Sequence, residues 1–242
     1  MADTDRIAGV LGGMGPDATV DFMAKVIALT PAAGDQDHIR MLVDHNPRVP
    51  DRQAAILAGG ENPGPALAAM AARLEASGAD FLVIPCNTAH VFQDDILAAT
   101  RIPLVSIIDA SVEAAETEAP DASAIGLLAT SGCLQAGIYQ QALEAAGRTS
   151  ILPTAGELDD LMALIKSIKA GRTDARAATA MGGLAKALVA RGAQAIIAGC
   201  TEIPLVLAGA ALDMPLISST DALAARTVGL ALGEIPLPNR QP

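Results

Sequence analysis

The chain has no tryptophan, one tyrosine and three phenylalanines in 242 residues. A core must therefore be built from Ala, Val, Ile and Leu, the composition of parallel sheets covered by helices. Cysteine is scarce as well. Three residues cannot form a disulfide scaffold, and no CxxC or Cys/His spacing points to a metal, so the expectation is free thiols and no metal site. Positive charge is also short, with 16 Lys and Arg against 27 Asp and Glu and a formal net charge of −11. Nucleic acid and anionic membranes are held through clustered cations, so neither is expected as a partner. The start, Met1 to Arg6, lacks the charged-then-apolar order of a secretion signal. The longest apolar tract, Ala193 to Ile217, is broken by Glu202, Pro204, Asp213 and Pro215, which excludes a membrane span and leaves a cytoplasmic protein as the expectation.

What is present is an alternation of short β-branched runs with longer Ala/Leu-rich stretches, the pattern of βα units around a parallel sheet. Strands are predicted at Arg6–Leu11, His38–Asp44, Asp80–Pro85, Leu104–Ile107, Ala124–Leu128, Thr149–Leu152, Gln194–Ala198 and Pro215–Ile217. Helices are predicted at Asp17–Leu29, Pro65–Ser77, Val91–Thr100, Asp109–Glu118, Leu134–Ala146, Glu157–Ala170, Thr173–Arg191 and Asp221–Leu232, with a Pro-rich frayed tail from Glu234 to Pro242.

The chain also repeats itself. Gly78-Ala79-Asp80-Phe81-Leu82-Val83-Ile84-Pro85-Cys86-Asn87-Thr88 returns as Gly192-Ala193-Gln194-Ala195-Ile196-Ile197-Ala198-Gly199-Cys200-Thr201-Glu202. Ile102-Pro103-Leu104-Val105-Ser106 with Asp109 returns as Met214-Pro215-Leu216-Ile217-Ser218 with Asp221, and Gly9-Val10-Leu11 as Gly126-Leu127-Leu128. The near-constant offset predicts two copies of one four-strand unit. The fold class that follows is α/β with two similar domains, each a four-stranded parallel sheet flanked by helices, related by a pseudo-two-fold axis.

A lone free cysteine is by default a small buried hydrophobe. Recurrence changes that, because Cys86 and Cys200 both stand just past a buried strand and before a helix, where open parallel sheets bind ligands. Cys133 has no counterpart and reads as structural or cleft-lining. Inverting a stereocentre without a cofactor needs a base on one face of the carbon and an acid on the other. Two like groups serve both directions, and a helix N-terminus is expected to lower a thiol's pKa toward neutrality. Asn87, Thr88, Thr201 and Glu202 supply polar atoms at the helix starts, as N-caps or as substrate ligands.

The turn Gly12-Gly13-Met14-Gly15 can offer backbone N–H groups to an anion. It also fits a G-x-G-x-x-A dinucleotide fingerprint with Asp44 as ribose ligand, although Asp44 lies further on than the usual spacing of about twenty residues. Cations for an acidic substrate are Arg48 and Arg52, in a Pro-punctuated loop after the second strand. A salt bridge at a helix start is the plain alternative for Arg52. Lys166 and Lys169, near a helix end, are explained equally well by the helix dipole. His90 reads as a helix-face residue, or as a base acting on Cys86.

Together, Gly12-Gly13-Met14-Gly15-Pro16, Asn46-Pro47 with Pro50-Asp51-Arg52, Pro85-Cys86-Asn87-Thr88-Ala89-His90, Leu127-Leu128-Ala129-Thr130 and Ala198-Gly199-Cys200-Thr201-Glu202 resemble the aspartate/glutamate racemase superfamily, on its aspartate side, over nearly the whole chain. The resemblance implies L/D-aspartate interconversion with no pyridoxal phosphate or other cofactor, no metal, and a homodimer. It assigns Cys86 and Cys200 as the acid/base pair, and Arg52 and Lys169 to the substrate carboxylates. Met14, Asn87, Thr88, Thr130, Thr201 and Glu202 would line the pocket. It places the domain crossings near Ser106 and Ser218, giving one domain of 1–105 plus 219–242 and another of 106–218. Arg48 and Cys133 depart from the family pattern, so a broad-range or glutamate racemase stands as the alternative substrate reading. From other classes, a nucleotide-binding dehydrogenase domain and a non-catalytic ligand-binding protein remain open.

Overall fold

In the computed structural model, which describes residues 6–207 and 213–238, short buried strands alternate with helices throughout. The expectations for the extreme N-terminus, for the middle of the apolar tract and for the last tail residues fall outside the described residues. The chain divides into two units, one running to Ile107 and resumed from Thr220, the other Ile108–Ser219.

The first unit contains β1 (Ala8–Gly12), α1 (Pro16–Leu29), β2 (Met41–His45), α2 (Arg52–Ala58), α3 (Gly64–Ala76), β3 (Phe81–Val83), α4 (Gln93–Ala99) and β4 (Leu104–Val105). The second is opened by α5 (Ile107–Glu118), followed by β5 (Ala124–Ala129), α6 (Ser131–Ala136), α7 (Ile138–Ala145), β6 (Thr149–Ile151), α8 (Ala155–Lys169), α9 (Ala175–Ala190), β7 (Ala195–Gly199), α10 (Pro204–Leu207) and β8 (Leu216–Ser218). From Thr220 on, α11 (Ser219–Ala231) belongs to the first unit again. Each unit has one four-stranded sheet, ordered β2-β1-β3-β4 and β6-β5-β7-β8, with every pairing parallel. The repeated segments thus occupy equivalent places in two like sheets.

Burial follows from that architecture. The inner strands β1 and β7 are buried on both faces, whereas the edge strand β2 is only partly covered. On α3 the buried residues Leu67, Met70, Ala71 and Leu74 recur at helical spacing, and α9 repeats the device with Met181, Leu184, Ala185 and Leu188. Capping is explicit at α8, where Thr154 accepts from the Glu157 amide while the Glu157 carboxylate accepts from the Thr154 amide. Arg191 grips both oxygens of that carboxylate at 2.7 Å. Hydrogen bonds from Arg191, chiefly, hold Glu157 down to about 2. Because its folded pKa is depressed, this group stabilises the fold above the usual carboxylate range, and the contribution is lost as pH falls toward 2. Glu157→Gln is therefore expected to flatten the acid limb of the denaturation profile below about pH 4.5, read by circular dichroism.

Several boundaries differ from the sequence reading. β2 starts at Met41, three residues later than His38, after a 3₁₀ turn at Asp35–Asp37 whose Asp37 carboxylate accepts from the Ala33 and Gly34 amides. The helix expected over Leu134–Ala146 is two, divided at Gly137, whose φ of 70° leaves helical space. The helix expected from Val91 begins at Gln93, because Val91 and Phe92 still belong to the 3₁₀ turn Asn87–Phe92. The short helices α2 and α10 stand where helix starts were read at Arg52 and after Cys200, though without bounds. Among the described residues no helix is long and apolar enough to cross a membrane.

Candidate active site

The register of β1 with β2 and β3 brings three strand ends together, with Gly12 opposite His45 and Val10 opposite Val83. Cys86 follows the third of these ends. It is almost wholly buried and joins the core cluster that contains Met14, Val49, Leu82 and Ala89. Its backbone is the cap position of the 3₁₀ turn, in extended conformation, so Asn87 and Thr88 lie inside the turn and are not its caps. Both are buried, and Gln53 on α2 donates to Thr88 Oγ1 at 3.3 Å. Gln53 was not foreseen as a site residue; its position beside Arg52 in the loop after β2 was the available signal.

His90 does not act on the Cys86 sulfur. Its Nε2 accepts from the Ile107 amide at 3.2 Å, which leaves Nδ1 to carry the proton toward the Cys86 carbonyl at 3.1 Å. The ring ties the 3₁₀ turn to the first residue of α5, with both nitrogens engaged in a buried setting. His90→Leu is expected to remove both ring hydrogen bonds from a buried setting and to lower stability by about 1–3 kcal/mol, measured by urea denaturation.

The glycine turn is built for close approach. At Gly13, φ is 94° and an added Cβ would collide with the Asn46 backbone. Its amide donates to Thr19 Oγ1 at 2.8 Å, so this one N–H of the turn is engaged within the protein. Asp44, the ribose ligand of the dinucleotide reading, is paired through Oδ2 with Arg73 at 2.7 Å.

Arg52 is the first residue of α2, after the Asp51 carboxylate that caps Gln53 and Ala54. The helix-start salt bridge given as the plain alternative is not what engages it. Its Nη1 donates to the Val49 and Pro50 carbonyls at 3.2 and 3.0 Å, while Nε is shielded from solvent with no partner among the described residues. A guanidinium satisfied only by carbonyls keeps its full positive charge for an incoming carboxylate. Arg48, by contrast, is exposed.

In the second unit β5 and β7 end level, with Ala129 opposite Gly199. Thr130 follows β5 and accepts from the Cys133 amide at 3.4 Å as the cap of α6. Cys133 is fully buried. Cys200 follows β7, and its thiol donates to Glu202 Oε2 at 3.0 Å. Thr201 Oγ1 donates to the same oxygen at 3.4 Å, and Lys169, the last residue of α8, holds Oε1 at 2.9 Å. Lys169 is therefore brought to Cys200 through Glu202. Lys166 is exposed on the same helix.

The expectation that a helix start lowers both thiols fails at Cys200. Burial, and then the Glu202 carboxylate, push this thiol up against the weaker pull of the Lys169 ammonium. The helix that follows, α10, is a single turn beginning four residues later and opposes this little.

Tyr139 lies behind this strand end, and sequence reading passed over it. A Cβ on Gly199 would stand 2.8 Å from its ring, so the glycine makes room for the chain's only tyrosine. Its hydroxyl meets Ser111 Oγ at 3.0 Å, and burial pushes it up, so it is a neutral phenol. An isolated aromatic in an aromatic-poor chain was the available signal.

Comparison with known proteins gives a consistent picture. The Asp/Glu/hydantoin racemase family model matches residues 11–227. The chain is 29% identical to the broad specificity amino-acid racemase RacX of Bacillus subtilis, over 93% of this chain and 97% of that one. Among solved structures, the Picrophilus torridus aspartate racemase superposes with a TM-score of 0.83 at 28% identity, covering 94% of each chain. Glutamate racemase from Francisella tularensis, in complex with D-glutamate, shares the fold at a TM-score of 0.67 and 18% identity, over 98% of this chain and 85% of that one.

Proposed function

Because the chain belongs to the Asp/Glu/hydantoin racemase family, we propose that it interconverts L- and D-aspartate without a cofactor, using Cys86 and Cys200 as the acid/base pair. The observation that carries this reading is the placement of two buried thiols just past equivalent strands, β3 and β7, of two like sheets. One thiolate takes the Cα proton and the other thiol delivers one to the opposite face. Reversing the substrate's hand reverses the roles. The carbanion is enediolate-like, so its carboxylate must meet preorganised positive charge. Arg52 is that group in this reading, with Lys169 for the second carboxylate and Met14, Asn87, Thr88, Thr130 and Thr201 shaping the pocket.

A second reading, an amino-acid racemase of broader range, is favoured by the near full-length match to RacX. One experiment separates these and tests both. Protein freed of metal and pyridoxal phosphate is incubated in D2O with a panel of single enantiomers, and Cα deuteration and inversion are followed together. Aspartate is expected to exchange and invert, with glutamate slower. Inertness of every amino acid tested overturns the racemase reading. A homodimer and a cytoplasmic location belong to the same proposal. The exposed apolar residues Val20 and Ile27 on α1 are surface that a second copy would cover, and sedimentation reads the mass.

A further inference from the structure

Glu202 was expected to contact substrate, but both its oxygens already receive donors from the protein. Oε2 accepts from the Cys200 thiol at 3.0 Å and from Thr201 at 3.4 Å, and Oε1 is paired with Lys169 at 2.9 Å. The carboxylate side chain is 5% exposed while its lysine partner is 40% exposed, so the acid is shut in with the sulfur and the base faces outward. A buried carboxylate is also the wrong charge to receive a dicarboxylate.

We propose that Glu202 is a positioning residue that shares one proton with Cys200. This rests on the racemase reading above and deepens it. At rest the shared proton sits on sulfur and Glu202 is the acceptor. When Cys200 must act as base, its S–H bond breaks and an Oε2–H bond forms, so the thiolate appears beside a neutral carboxylic acid. The Cα proton then lands on that sulfur while the Cys86 thiol delivers its own proton to the opposite face, leaving the Cys200–Glu202 pair with two protons and Cys86 as the thiolate, which is the state that acts in the reverse direction. The two thiols and Glu202 together carry one negative charge in either direction, beside the Lys169 ammonium. Tyr139 on α7 also faces Cys200, and it stays neutral. Cys133 on α6 is within electrostatic reach of Tyr139, so its state is followed as well.

The test reads Cys200 directly. The full-length protein is alkylated with iodoacetamide across a pH series, digested, and the labelling rate of the Cys200 and Cys133 peptides is measured separately by mass spectrometry. Glu202→Gln is expected to lower the Cys200 midpoint by about one pH unit or more, because a like charge has been removed. Lys169→Met is expected to raise it, and Glu202→Asp, which keeps the charge, to leave it near the parent value. An unmoved midpoint in Glu202→Gln overturns the proposal. The second readout is racemisation. Because the enantiomers are equal in energy, kcat/KM from L- and D-aspartate must fall together in Glu202→Gln, by about 10-fold or more, with recovery in Glu202→Asp. Full racemisation alongside a shifted midpoint also overturns it. If the unmodified protein racemises nothing, the functional reading falls alone, and the alkylation series still decides whether the proton is shared.

Discussion

Replacing Cys200 by alanine is expected to reduce aspartate racemisation by about 10⁴-fold, and replacing Cys86 to do the same, because in the proposed mechanism each removes the acid/base group that serves one face of Cα. The losses should not add. Either thiol alone is as useless for inversion as neither, so the double variant is expected to match the single ones. Exchange without inversion is the finer readout. In D2O the Cys200→Ala protein keeps one thiol, which can wash deuterium into one enantiomer while leaving its hand unchanged. Cys86→Ala should do this for the other enantiomer. The pair of experiments assigns each thiol to a face. Neither alanine should unfold the protein, since each cavity is only a thiol in volume, and circular dichroism checks this. Full activity in either variant would refute a two-base mechanism.

The second large effect is expected at Arg52. Its guanidinium has a shielded Nε without a partner and only carbonyls on Nη1, so in the proposed site it carries positive charge that no acid among the described residues pairs with. Arg52→Met should raise KM and lower kcat/KM for aspartate by roughly 30- to 1000-fold, the range for removing one member of a desolvated charge pair, about 2–4 kcal/mol. Arg52→Lys is expected to recover only part of this, since an ammonium cannot reproduce the planar fork. Some of the methionine effect could come from a looser loop, because Nη1 ties down Val49 and Pro50. Thermal unfolding of the two variants separates loop from charge: a binding loss with an unchanged Tm assigns it to charge. Unaltered kcat/KM in Arg52→Met would remove Arg52 from the site.

The sheets were legible in the sequence because their strands are apolar, short and repeated, and the two copies constrain each other. The Cys86 and Cys200 positions were legible for the same reason. What could not be read were features decided by a single contact. Nothing in Leu134–Ala146 announces that Gly137 takes a left-handed conformation rather than continuing a helix. The role of His90 depends on the Ile107 amide, seventeen residues further along the chain, reaching its ring. At Cys200 the expectation of a lowered thiol used the right principle and the wrong neighbour. A helix start pulls the pKa down, yet burial and Glu202 outweigh one turn of helix. The ion pair that draws Lys169 to this point joins residues from different elements, which periodicity does not report.

The discontinuity of the first unit bears on how the chain is made. On a ribosome, residues 108–219 emerge as one uninterrupted block and can complete their own core as soon as they are out. The strands of the first unit appear earlier but must wait for α11, which from Thr220 on belongs to their unit, buries Leu223, Ala224 and Leu230 on folding and accepts the Arg6 amide at the Ala231 carbonyl. The half synthesised first is therefore the half finished last. During that interval its apolar surface is open to chaperones and to misassociation.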